Sequence, residues 1–407
     1  MKRRKFVKVV GAAGAGSSLL AVPASADPLV STTDDLNLRP EPPSPLVAHC
    51  KRILEQNLLT EGETFVVATP MVFDHDYMLA LLTAAGEIGA SGAHMSVFPR
   101  INSDGQYESA LSAWHWNTYA EADLLITSNL GNDIGLPGAS TAYGNKVGSH
   151  PYRTDFEAIN RPGHKTRWLA LGYDVPRQQR YFPTAERRER TLRGARLLDE
   201  TRGELRVVSD AGSDWRCSME GRPGHAQYGI ADMAGRWDNF GYGCVACGPN
   251  EDSAEGVLVL QPGDIIPDLH PQVLEETVTL NWEGGYVTSV EGGRRAQELG
   301  MLLSVYNDRE AFGISHFGWG THERTELGEP GDVGHFHHNK EGSLLYSLGM
   351  NFGHGIGGAG AGYSGLGYSS RIAPNHTHFT MFGCDVYVAG DRVIEAGRVA
   401  PEAGGRM

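Results

Sequence analysis

Beyond residue 22 the sequence has no apolar run long enough to cross a bilayer as a helix. Cations are scarce: 35 Lys and Arg stand against 49 Asp and Glu, for a net charge of −14. That balance argues against nucleic acid and against anionic membrane surfaces as partners, since both require a basic footprint. Cysteine is scarce too, and the count of five is odd, so at least one thiol has no partner within the chain. Cys244-Val-Ala-Cys247 is a single CxxC; a zinc ribbon needs a second, which leaves a disulfide or two buried thiols. There is no Gly-x-Ser-x-Gly elbow, no Walker loop and no His-Glu-x-x-His helix. Gly11 to Gly16 imitates a nucleotide-binding loop but follows no strand and lies in a leader-like segment.

That leader is the first feature the sequence does possess. Lys2-Arg3-Arg4-Lys5 is basic, Val9 to Val22 is mildly apolar, and Ala24-Ser25-Ala26 reads as a small-residue cleavage site. With its paired arginines, 1–26 resembles a Tat signal, which predicts a periplasmic or secreted protein. Its loss would remove five cations and no acid, making the mature net charge −19. Residues 27–45 are proline-rich and read as an extended arm.

The remaining length suits two domains. From 46 to 203, apolar runs at Thr64–Thr69, Gly92–Phe98, Ala122–Thr127 and Thr166–Leu171 alternate with helical spacing at Tyr77–Glu87 and Thr184–Glu200. This predicts an α/β domain with a doubly wound, mainly parallel sheet. Asp74-His75-Asp76 could bind a cation, but Asp favours helix N-caps and the run reads first as the cap of the next helix. From 204 to 407 the runs at 204–209, 253–260, 272–282 and 286–290 are separated by Gly-rich turns, which predicts an α+β domain. Gly353 to Ser370 is dense in glycine and reads as a loop.

Eight of the 16 histidines fall between residues 316 and 378. His376 and His378 are two apart, so on a strand their rings share a face. His316 lies within Gly313–Gly320, whose glycines would let the backbone turn tightly beside an ion. Neutral imidazole is a common ligand for iron and zinc, and these three histidines are the predicted holders of a single metal. His335, His337 and His338 sit in a polar, Gly-flanked run that predicts exposure, while His322 and His354 fit either environment.

Several motifs go further. Gly235-Arg-Trp-Asp238, Pro249 to Gly256, Pro262-Gly-Asp264, Ser315 to Gly320, Leu345 to Asn351 and the run from His376 to Gly397 resemble the 2,5-dihydroxypyridine 5,6-dioxygenase family. That family shares its fold with aminopeptidase T-type metallopeptidases. The resemblance implies Fe(II) held by a His, a Ser and a terminal His-x-Asp, which fall on His316, Ser347, His376 and His378. This chain departs from the pattern with His378 where the family has Asp, and with a Gly-rich insertion between Ser347 and His376. Two metal-binding glutamates of the peptidase branch align with Cys244 and Met301, neither of which replaces a carboxylate, so a two-metal hydrolytic site is not expected.

The implied activity is a non-haem, extradiol-type ring opening of a small hydroxylated aromatic or N-heteroaromatic such as a dihydroxypyridine, with O₂ as co-substrate. His150 is the candidate base, Trp114 and Trp116 fit an aromatic wall or an ordinary helix face against the core equally well, and a homo-oligomer is the expected assembly. The metal is expected where the two domains face each other, near side chains from 110–155. A metal-dependent hydrolase and a non-catalytic periplasmic metal- or ligand-binding protein are the alternatives.

Overall fold

The computed structural model describes residues 44–407 except 71–74, 98, 102–106, 110–117, 129–164, 172–174, 202, 271, 328–334, 350–370, 372 and 374. The leader, most of the arm, His150, Trp114, Trp116 and the Gly353–Ser370 loop lie outside the described residues. The described chain begins at Ser44. Its hydroxyl accepts from Val47 N at 3.2 Å, and Pro45 takes the first position of the helix Pro45–Gln56, where its missing N–H costs nothing. That helix buries His49, Cys50, Ile53 and Leu54.

Five parallel strands form the first sheet, in the order Trp237–Asn239, Arg167–Leu171, Leu124–Ser128, Thr64–Pro70, Ser91–Val97. Numbered along the chain this is 2-1-3-4-5, a doubly wound order. Alternate residues of the central strands enter two separate cores. Phe65, Val67, Leu124, Ile126 and Leu169 pack with Ile53, Leu54 and the helix His75–Ile88. Val66, Ala68, Leu125 and Trp168 pack with Tyr119 on the other face. Burial on both faces explains why these strands read as continuous apolar runs. The edge strand Trp237–Asn239 comes from beyond Gly203, so the chain returns to this sheet after leaving it. Arg236 fixes that return: fully buried, it bonds Asp238 at 2.6 Å and the carbonyls of Ala226 and Ile230.

Pro99–Ile101 and Tyr107–Ser109 pair as a small antiparallel ribbon, and the remaining strands build two antiparallel sheets. Eight strands form a large one, and five form a second in the order His376–Met381, Leu344–Gly349, Ile314–Gly320, Cys244–Cys247, His225–Gln227. Between the two sheets Trp215 meets Tyr346 at 5.1 Å, Phe317 at 5.7 Å and Trp282 at 5.9 Å, ring centre to ring centre, within one continuous core. The other face of the five-stranded sheet carries His316, Ser347 and His378. The segment expected to be a strand from 272 is strand only at Val278–Glu283. Its first part is held as a loop by Leu274 N to Asp264 O and Ile266 N to Gln272 O. The sequence pattern does not announce the helix Arg294–Ser304. Among the described residues no helix is long and apolar enough to cross a membrane.

Candidate metal centre

Three adjacent strands bring the candidate ligands together. In the register of the sheet His316 lies opposite Ser347, and Ser347 opposite His378, so the three form one row. Directly opposed residues are close neighbours on one face. His376, two residues before His378, stands on the same face, opposite Gly349. Gly349 has φ +91°, and a Cβ there would run into the Asn375 backbone and side chain, so the position excludes other residues.

One nitrogen from each of His316, His376 and His378 lies within 4.8 Å of the others. The ring centres of His376 and His378 are 4.5 Å apart, with His316 at 5.1 Å and 5.3 Å from them. The Ser347 hydroxyl sits 2.6 Å from His316 Nδ1. His316 and Ser347 are buried, while His376 is only partly covered. Buried polar groups converging without a carboxylate among them form a neutral donor set. Imidazole nitrogen suits iron and zinc alike, so the residues present fit such an ion.

The run Gly313–Gly320 does not turn beside this centre; Ile314–Gly320 is strand throughout. Its glycines serve close packing instead: a Cβ at Gly320 would collide with the backbone of Asn339 and Lys340. His337 and His338 are also unlike the expectation, being buried rather than exposed. They belong to the short turn His335–Asn339, which is pinned to the site sheet. Asn339 Oδ1 accepts from Gly243 N at 2.9 Å, Asn339 O accepts from His322 N, and His337 O accepts from Ser343. His338 therefore packs its ring 5.7 Å from His378 and 5.4 Å from Tyr242. Polar composition signalled exposure because nothing local reveals a turn folded under a sheet.

His322 is buried as well, edge-on to Tyr181 at 5.2 Å. Burial and the neighbouring Arg187 push its pKa well down, which keeps it neutral. Arg371, just before the His376 strand, donates to Ile314 O at 3.0 Å and to Glu251 O at 2.7 Å, and pairs with Glu310. It ties the start of one ligand strand to the approach of another, a role that sequence spacing did not signal.

Cys244 and Cys247 are free, buried thiols. Three positions apart on one strand they face opposite sides, Cys244 towards Gln227 and Cys247 towards Met219, so no disulfide joins them. Burial pushes both thiols up, away from the reactive thiolate. Met301 is exposed on the helix Arg294–Ser304. His75 and Asp76 open the helix His75–Ile88.

Known proteins resemble the chain along most of its length. The family model for 2,5-dihydroxypyridine 5,6-dioxygenase matches residues 157–401. A 2,5-dihydroxypyridine 5,6-dioxygenase of Pseudomonas putida KT2440 is 36% identical over 292 residues, which is 69% of this chain and 77% of that protein. The solved structure of 2,5-dihydroxypyridine dioxygenase from Pseudomonas putida KT2440 superposes with a TM-score of 0.71 at 25% identity, over 90% of this chain and 100% of the other. Wild-type AmpT from Thermus thermophilus gives 0.59 at 15% identity over 87% and 98%, a likeness of fold alone.

Proposed function

Because the chain belongs to the 2,5-dihydroxypyridine 5,6-dioxygenase family, we propose that it is an Fe(II)-dependent dioxygenase that opens the ring of a small hydroxylated aromatic or N-heteroaromatic. The observation that carries this reading is the row His316–Ser347–His378 with His376 beside it, buried on one face of an antiparallel sheet. The three imidazoles would hold the ion, with Ser347 a weaker fourth donor. Iron there would supply a Lewis acid and a source of electrons for O₂.

The residues themselves account for the rest. Neutral ligands leave the positive charge of the ion uncompensated by side chains, which favours an ionised phenol oxygen over a neutral one. His316 and Ser347 are rigidly mounted on paired strands, so the donors are organised before anything binds. His150 is our candidate for the base that takes the substrate's hydroxyl proton. The same proposal includes Tat export to the periplasm or beyond, and a homo-oligomer as the assembly.

Oxygen uptake by the mature, Fe(II)-loaded protein with 2,5-dihydroxypyridine tests the reading. One O₂ should disappear for each ring opened, with loss of the aromatic absorption. Hydrolysis of peptides by the zinc form without O₂ consumption would point to the peptidase branch and defeat it.

A further inference from the structure

Strand Ile314–Gly320 carries a β-bulge at its start. Ile314 pairs with Leu348, and His316 pairs with Ser347, so two steps on one strand match a single step on the other. Ile314 belongs to the core beneath the sheet, as Leu348 does, whereas His316 belongs to the metal-facing row with Ser347. In a regular strand residues 314 and 316 would share a face. The extra residue that breaks this alternation is Ser315, and the bulge turns it to the same side as His316. Its hydroxyl is buried and lies 3.4 Å from His316 Nδ1 and 3.5 Å from His376 Nδ1.

Those separations are long for a hydrogen bond to a ring nitrogen. They lie at the upper edge of the spacing of atoms gathered around one ion, where donors each roughly 2.1 Å from a metal stand about 3.0–3.4 Å from one another. Ser347, on the neighbouring strand, stands closer, its hydroxyl at a hydrogen-bond distance of 2.6 Å from the same His316 nitrogen. We propose that Ser315 is a second hydroxyl donor to the metal centre, delivered by the bulge. Three imidazoles and two hydroxyls then stand where an aspartate is missing. This rests on the metal-centre reading above.

Cobalt(II) substitution of the full mature protein tests it, because a cysteine thiolate bound to cobalt adds an intense near-ultraviolet charge-transfer band. Ser315→Cys and Ser347→Cys should both gain that band over the wild type, and Ser315→Ala should bind cobalt roughly tenfold more weakly. A band in Ser347→Cys with none in Ser315→Cys would overturn the role of Ser315 and leave the centre standing. Unchanged cobalt affinity in Ser315→Ala would do the same, even if the cysteine variant fails to fold. A wild-type protein that takes up no cobalt or iron would bring down the centre itself, and the proposal with it.

Discussion

At the scale of single residues, the candidate centre was legible where its residues obey a short-range rule. His376 and His378 share a face because a strand alternates, and the spacing is visible in the letters. His316 stood out by its place in the run Gly313–Gly320, whereas Ser347 came only from resemblance, since pairing across strands leaves no mark in either segment. Ser315 and His338 were missed for related reasons: one depends on a bulge, the other on a turn tucked under a sheet. Two predictions belong here. His378→Ala should lose most bound metal, since one of three imidazoles goes, whereas His378→Asp should keep it; elemental analysis of the purified variants measures both. His338→Ala, which exposure would have made silent, should weaken metal binding by about 10–100-fold, because the ring packed on His378 holds that ligand in place. Equal metal affinity of His338→Ala and wild type in a chelator competition would reduce His338 to filler.

At the scale of elements, the strands that carry the ligands are anchored by buried charge. The helix Ala185–Thr201 reaches the end of strand Ile314–Gly320 through Arg187, which is fully buried and bonds Glu323 at 3.0 Å. Burial alone would raise the Glu323 carboxyl, but the hydrogen bonds and charge of Arg187 outweigh it and hold the pKa down to about 2. A carboxylate depressed on folding stabilises the protein above its unfolded pKa and loses that contribution as pH falls from about 4.5 towards 2. Glu323→Gln should therefore cost about 3 kcal/mol near neutral pH, with the deficit shrinking in acid; urea unfolding at pH 7 and pH 3 reads it. A deficit that grew in acid would contradict the assignment. Gly349→Ala should also destabilise, by at least about 1 kcal/mol, because the backbone is left-handed there and Asn375 fills the space; the shift in the urea midpoint measures it. The Arg-rich helix was readable in the sequence from its spacing, but its partner Glu323 was not, since the two lie 136 residues apart.

At the scale of the whole molecule, the α/β character of residues 46–203 was written in alternating apolar strands and helices, and the structure has that parallel sheet. The return of Trp237–Asn239 to its edge could not be read, because three residues carry too little pattern to declare a sheet. The likeness to the Pseudomonas putida dioxygenase spans 90% of the chain. Light scattering of the mature protein should give a multiple of the chain's mass, and a monomer would refute the assembly we propose. The central claim is a single ion held by His316, Ser347, His376 and His378. Anomalous diffraction at the iron edge, from crystals of the Fe(II)-loaded protein, tests it most directly. We predict one peak within coordinating distance of all three imidazoles; a peak elsewhere, or none at this row in an iron-replete crystal, would contradict the account.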